Sequence, residues 1–558
     1  MSEAANPIVP RDQVSSKGII AGDLVANLPV DNVRAVLSLT PGVLETGAGD
    51  GVSIRGGRPG EANVYIDGAP VRSTNFGGDF GAMNGLGLGT NALEEASVTT
   101  GALGVEFSDA QSGLISYTTR AGGEQIAGAV SLATDEPMGN GLSVGFNRIE
   151  GSIGGPIPGV QNLRWFVSGV GQGQTTRFRG KGSEDVPFFT RAGIDLAMQL
   201  PTDPGGALAT DVILPKFAQV QGECGNLNGS LPDTSALAQQ INGNYGFDCG
   251  GLLRPMDWQT TMNYQGKLQY GYGQGSSVSL TALIDDFKER FAPFQSVNNP
   301  AQYQGHHDWS RKAILNLSHQ VSRSAERALA VNLNVSWQRD RHIQGSVDPA
   351  TETDSRSPTG GFYLGGMEFS GLQNFPFPIT DQIVRDLRTN SGTRGLPPGL
   401  FGRSDLETAQ SSRNNPYGAT GAGNFGGWNT HGIAVAASTL EETRYTGRVV
   451  VDWQANRFHR FTLGGDLKKT DLAWWSVGDL TNQIFMDAYV VDPIQYGVFA
   501  SDRLDLGDVV LELGVRWDYY KSNALFANTP GRISSVDSAT VPLAERKWNP
   551  AGATDDTA

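Results

Sequence analysis

From residue 126 onward, apolar and polar side chains alternate along the chain. Met262, Tyr264, Gly266, Leu268, Tyr270 and Tyr272 share one face, and Thr261, Asn263, Gln265, Lys267 and Gln269 share the other. Leu329, Val331, Leu333, Val335 and Trp337 stand opposite Ala330, Asn332, Asn334, Ser336 and Gln338. The same period of two recurs over Tyr445–Trp453 and Val509–Tyr519. It predicts β-strands with one polar and one apolar face. Eleven such segments are expected, near 126–134, 142–153, 163–172, 260–272, 277–287, 312–321, 328–340, 442–454, 460–470, 494–504 and 508–521. Each is about ten residues, enough to cross a bilayer at a tilt. Aromatic residues at segment ends (Tyr272, Trp337, Trp453, Tyr519) fit an interfacial girdle.

The links alternate in length. Those at 273–275, 322–326, 455–459 and 505–507 are short, and those at 173–259, 288–311, 341–441 and 471–493 are long. Short turns on one side and long loops on the other are the pattern of bacterial outer-membrane barrels. An odd strand count does not close such a barrel, and plugged outer-membrane transporters have about 22 strands. The expected architecture is therefore an all-β membrane protein with about half of its barrel strands present, a fragment.

The first 120 residues read differently. Asp31 is a plausible cap for a short helix carrying Val33, Val36, Leu37 and Leu39, which Pro41-Gly42 would stop. Short strands follow at 52–55, 62–66, 96–100 and 114–119, with a tight turn at Asp67-Gly68. The ordered blocks Leu-x-x-Thr-Pro-Gly-Val, Ser-Ile-Arg-Gly-Gly-Arg, Val-Tyr-Ile-Asp-Gly-Ala-Pro-Val, Leu-Glu-Glu-Ala-Ser-Val-Thr-Thr-Gly and Ser-Gly-Leu-Ile-Ser-Tyr-Thr-Thr-Arg-Ala-Gly-Gly resemble the plug domain of TonB-dependent receptors. Gln495–Leu504, Leu511–Tyr520 and His459–Lys468 are similar to mid-barrel strands of that family.

The resemblance implies a flexible segment over 1–22, a small α/β plug over 23–123 and a partial barrel over 124–558. It implies Pro41, Gly42, Arg55, Gly56, Asp67, Gly68 and Gly113 as plug-motif positions. Arg55, Arg58, Asp67 and Glu94 can pair with charges on the barrel's inner wall. It also implies energy-coupled import of a bulky siderophore, oligosaccharide or peptide across the bacterial outer membrane. Outer-membrane lipid and the inner-membrane TonB coupling complex would then be partners. The alternative is a passive structural or adhesive barrel that binds a surface partner through its long loops. The chain departs from the family pattern in lacking a signal peptide, a coupler-binding box before the plug and a second barrel half.

Composition sharpens this picture. Glycine is abundant, at 74 of 558 residues, and charged residues make up 18%, which suits a turn-rich β-protein. A net charge of −15 with no basic stripe argues against a nucleic-acid partner. Cys224 and Cys249 lie in one polar stretch, where a surface-loop disulfide is expected; the other reading is two free thiols. His306-His307-Asp308 reads as a flexible loop and not as a metal cluster, because adjacent residues of an extended chain point opposite ways. No catalytic constellation, cofactor site or metal site is legible. Ligand contacts are expected at the plug apex, from Asn75, Phe76, Asp79 and Phe80, which combine aromatic rings with an amide and a carboxylate. Trp474-Trp475 reads as a girdle position, with ligand contact as the alternative.

Overall fold

A computed structural model of the chain describes residues 16–25, 37–45, 52–58, 61–71, 88–100, 104–108, 112–138, 143–174, 258–291, 304–347, 437–477 and 486–523, apart from a few single positions within them. It also describes short pieces between 188 and 248, between 362 and 383, at 525–527 and at 553–555.

The N-terminal unit opens with β1 (Ser16–Ala21) and a single helical turn, α1 (Gly22–Val25). Then come β2 (Val43–Glu45), β3 (Val52–Ile54), β4 (Ala62–Ile66), β5 (Ala69–Pro70), β6 (Leu93–Thr100) and β7 (Gly113–Thr119). Five of them form one sheet in the order β1-β6-β7-β4-β5, while β2 and β3 pair separately. Strand β4 is buried throughout and lies parallel to β7. Asp67 and Gly68 both adopt positive φ, 46° and 80°, the conformation a two-residue hairpin turn requires between β4 and β5. Residues 16–21, expected to be flexible, are instead a strand paired along its whole length with β6. The helix expected over 31–39 falls largely outside the described residues, as do Cys224 and Cys249 and all of 72–87, including Asn75, Phe76, Asp79 and Phe80.

The second unit is a 12-stranded antiparallel sheet. It begins with β8 (Ala127–Thr134), β9 (Asn147–Pro156) and β10 (Leu163–Gln174). The small pair β11 (Phe188–Phe189) and β12 (Phe247–Asp248) stands apart. The sheet continues through β13 (Trp258–Tyr272), β14 (Ser276–Phe291), β15 (Gln304–Arg323), β16 (Ala328–Ser346), β17 (Ala437–Gln454) and β18 (His459–Val477). It ends with β19 (Met486–Val491), β20 (Ile494–Asp505) and β21 (Val510–Lys521); β19 pairs only with the far end of β18. Another small pair, β22 (Leu525–Ala527) and β23 (Ala553–Asp555), lies outside it. Among the described residues, β8 and β21 are the two edges.

All eleven expected segments are strands of this sheet, and the differences lie at their ends. Strands β14 to β18 run several residues further toward the long links, where the alternation no longer holds. His306-His307-Asp308 therefore sits inside β15 and is not a loop. The second segment starts later than expected, at Asn147. The Asp135 carboxylate takes the amides of Val144 and Phe146 and the hydroxyl of Ser143, which folds 143–146 into a hairpin cap and not into the ladder.

Register stacks the outward side chains into apolar rows. One row runs Leu280, Leu315, Val335, Gly447, Leu467, Tyr496, Tyr519. Its large side chains are exposed, as are Val449, Val498, Val515 and Trp517 in the neighbouring rows. The inward positions are buried and polar, among them Gln265, Lys267, Thr281, Ser310, Lys312, Gln338 and Arg444. On β17, Tyr445 and Trp453 bracket the apolar stretch. Eight residues rise about 26 Å along a strand, or about 19 Å of height at a tilt near 45°. That is about three quarters of the roughly 25 Å apolar band of an outer-membrane barrel. Trp475 is not part of such a girdle: it is fully buried, and Trp474 packs against Leu440, Leu472 and Tyr489 beyond the band.

Candidate functional site

The plug meets the wall through buried polar groups. Asp67, at the tip of the β4–β5 hairpin, is the centre of the main contact. Its carboxylate accepts hydrogen bonds from the Thr119 amide (2.8 Å) and hydroxyl (2.5 Å) within the plug. From the wall it receives the Thr281 hydroxyl at 2.7 Å and the Lys267 ammonium at 3.3 Å. Its backbone carbonyl accepts from Asn316 (3.0 Å) and Asn334 (3.1 Å). Lys267 also donates to the Thr119 carbonyl at 2.9 Å. Four adjacent strands, β13 to β16, thus converge on one hairpin tip. The Asp67 side chain is only 2% exposed and that of Lys267 8%, so each charge depends on the other for compensation.

Two more contacts flank the first. On β9, Glu150 accepts from the Asn91 amide at 2.7 Å and from the Thr90 hydroxyl, and is held by Arg148 at 2.8 Å. The Asn91 amide belongs to a short 3-10 turn, Thr90–Ala92, that precedes β6. On the far side, Arg516 of β21 donates to the Val105 carbonyl at 3.3 Å, while Arg448 of β17 lies over the Phe107 ring, 5.0 Å from its centroid. Contacts from β9 to β21 show that the sheet bends around the plug. Among the described residues, two wall residues, Leu283 and Ile314, join the plug's apolar core.

Beyond the plug contacts, the inner wall carries a collar of charge toward the long-link end. Asp340 accepts from Ser310 and Gln338, Arg444 pairs with Glu442 at 2.6 Å, His306 lies 3.3 Å from Glu289, and His342 is hydrogen-bonded to Asp308. His307 faces the other way and meets Asp286 at 3.1 Å, so the two adjacent histidines do diverge.

Of the charged plug residues expected to reach the wall, Asp67 does. Arg55, Arg58 and Glu94 are exposed, and Arg55 occupies a turn at φ 50° whose amide bonds to Gly42. Pro41 and Gly42 form the turn into β2, and Gly113 opens β7 against Ile54. The wall partners Lys267, Thr281, Asn316, Asn334 and Glu150 were visible in the sequence only as polar positions of alternating strands. The first four depend on a hairpin 200 or more positions away and Glu150 on a turn 59 positions away, which no local pattern encodes.

A small mixed-sheet domain held inside an antiparallel wall that is polar within and apolar without defines a plugged transmembrane β-barrel. Residues 9–114 match the TonB-dependent Receptor Plug Domain family. No curated protein matches the chain. Among solved structures, it is similar to the pyoverdine outer membrane receptor FpvA from Pseudomonas aeruginosa PAO1 bound to pyoverdine. The TM-score is 0.50 at 13% identity, over 92% of this chain and 57% of that one. Two further matches are the copper transporter OprC (TM-score 0.48, 11% identity, 91% and 56% covered) and the siderophore receptor PirA from Pseudomonas aeruginosa (0.44, 12%, 91% and 56%). At such identities the likeness to FpvA is one of fold, and this chain spans 57% of that receptor's length.

Proposed function

We propose that the protein imports a bulky nutrient through the bacterial outer membrane, with the plug displaced by an inner-membrane energy coupler. The observation that carries this reading is the polar plug–wall contact centred on Asp67 and Lys267. A plug fixed by a greasy interface would be permanent. One held mainly by hydrogen bonds and a buried ion pair can be released when water enters and replaces those bonds. The cargo belongs to the siderophore, oligosaccharide or peptide class, and FpvA, the receptor of like fold, is a pyoverdine receptor. We assign cargo contact to Asn75, Phe76, Asp79 and Phe80 on the plug, with the charged collar of β14 to β17 above it.

A tether tests the reading. A methyl group placed on Gly514 would meet a Val105 methyl at 2.5 Å, so cysteines at 105 and 514 are close enough for a disulfide. In energised cells, uptake of a panel of ferric siderophores, oligosaccharides and peptides should include at least one substrate whose entry requires the proton-motive force. Oxidising the Val105→Cys/Gly514→Cys pair should stop that entry and leave binding intact, and reduction should restore it. Binding without energy-dependent uptake of any panel member would favour the passive adhesive barrel instead.

A further inference from the structure

Among the described residues, the outward face of the wall carries charged side chains where its apolar rows end. Arg311 on β15 and Arg339 on β16 are direct cross-strand partners, and both are exposed. Like charges placed opposite each other on neighbouring strands destabilise the pair. The other charged groups nearby on this face are matched: Arg341 has Glu441 at 3.7 Å, and Lys288 and His307 share Asp286. Arg311 and Arg339 have no carboxylate partner among the described residues. Both lie instead against one ring, Trp309, with their guanidinium carbons 5.2 and 5.7 Å from its centroid.

Their height is as telling as their pairing. Arg339 is one outward position beyond Trp337, whose cross-strand partner Tyr445 marks the upper edge of the apolar band. Arg311 is one outward position beyond Ala313 and, further in, Leu315. One such step is about 7 Å along a strand. The two guanidinium groups therefore leave the hydrocarbon and enter the headgroup layer on the long-link side, which is the outer leaflet if the chain sits as proposed above. A guanidinium stacked on an aromatic face keeps its N–H donors at the rim, directed sideways, where phosphate oxygens can accept them in pairs.

We propose that Arg311, Arg339 and Trp309 form a binding site for the phosphate of an outer-leaflet lipid headgroup. One phosphate bridging both arginines relieves their mutual repulsion and supplies the missing counter-charge. The Trp309 ring fixes the fork and covers the sugar or glycerol carbon next to the phosphate. The site rests on the outer-membrane reading but not on transport, cargo or plug movement.

The test uses the full chain floated with liposomes of phosphatidylcholine doped with either diphosphorylated or dephosphorylated lipid A. Tight retention of the labelled phosphorylated lipid is expected for the unchanged protein. Arg311→Gln/Arg339→Gln should lower that retention about tenfold, as expected for removing two cationic contacts at an anionic surface. Arg311→Lys/Arg339→Lys should recover part of it, because charge survives but the fork is lost. Both variants change only outward side chains, and an unaltered pattern of protease-resistant fragments in the vesicles will show that they fold. Equal retention by the Gln variant, or equal binding of the dephosphorylated lipid, overturns the site. Displacement by millimolar inorganic phosphate overturns the lipid as its occupant. Failure of the unchanged protein to float overturns the membrane reading itself, and with it this site.

Discussion

The inner and outer faces of the same strands obey opposite rules. On β17, Arg444 and Thr446 point inward and are buried, while Tyr445 and Val449 point outward and are exposed. In a water-soluble sheet the apolar face is the hidden one. Here the lipid replaces water as the outer solvent, and the hidden face is polar because a second domain fills the interior and satisfies it. The contrast teaches that burial and apolarity are separate properties. What a buried position requires is a partner, and each inner-face residue has to be judged by the group it meets.

The contrast can be broken most sharply at Lys267. Lys267→Met leaves the Asp67 carboxylate buried without its ammonium, and should destabilise the plug–wall contact by about 3–5 kcal/mol. Guanidinium unfolding of the protein in lipid vesicles, followed by protease access to the plug, measures it. Adding Asp67→Leu to Lys267→Met should recover much of the loss, since an apolar pair can replace a buried ion pair. No recovery would mean that Asp67 acts mainly through Thr119 and Thr281.

The outer face fails differently. Val449→Arg puts a charge near the middle of the apolar band and should cost about 2–4 kcal/mol in the same unfolding assay. A cost near zero would show that this row does not face hydrocarbon. Glu150→Gln retains the shape but weakens charge-assisted bonds to Asn91, Thr90 and Arg148. About 1–2 kcal/mol is expected, read as faster hydrogen exchange at the Asn91 amide.

The smallest effect concerns the hairpin between β8 and β9. Burial opposes the charge of Asp135, but hydrogen bonds from Val144, Ser143 and Phe146 outweigh it and hold its carboxyl below the ordinary range. A folded-state value below the unfolded one means that the stabilisation is present above the unfolded value. It is lost as pH falls through the folded one. Hydrogen exchange at 143–146 should therefore quicken only in strong acid, and Asp135→Asn should remove that acid dependence. An equal acid response in the Asn variant would assign it to another group.

Much of the wall was legible in the sequence because lipid on one side and a polar interior on the other impose a strict period of two over about ten residues. Residues 331–338 and 444–449 show it most plainly. Where the strands rise past the lipid, as at 304–311, both faces meet polar surroundings and the period vanishes although the ladder continues. The plug was legible through its turns: Asp67-Gly68 can hardly be anything but a hairpin tip. That Asp67 is also the docking point was open to suspicion from its charge, but Lys267 as its counterpart was not, because the pairing spans 200 positions. Arg311 and Arg339 become unusual only once register places them side by side.

One feature of the plug bears on the order of assembly. Its apolar core is closed by Leu283 and Ile314, which belong to wall strands β14 and β15. A plug made first would lack two of its own filling residues and would carry a gap where they insert. Large-to-small losses at such sites typically cost about 2–5 kcal/mol each. For a domain of this size that is a large part of any stability it could have alone. The N-terminal domain, though first off the ribosome, is then expected to stay loosely ordered until the hairpin of β14 and β15 is in place, so that the wall acts as the template on which its plug matures.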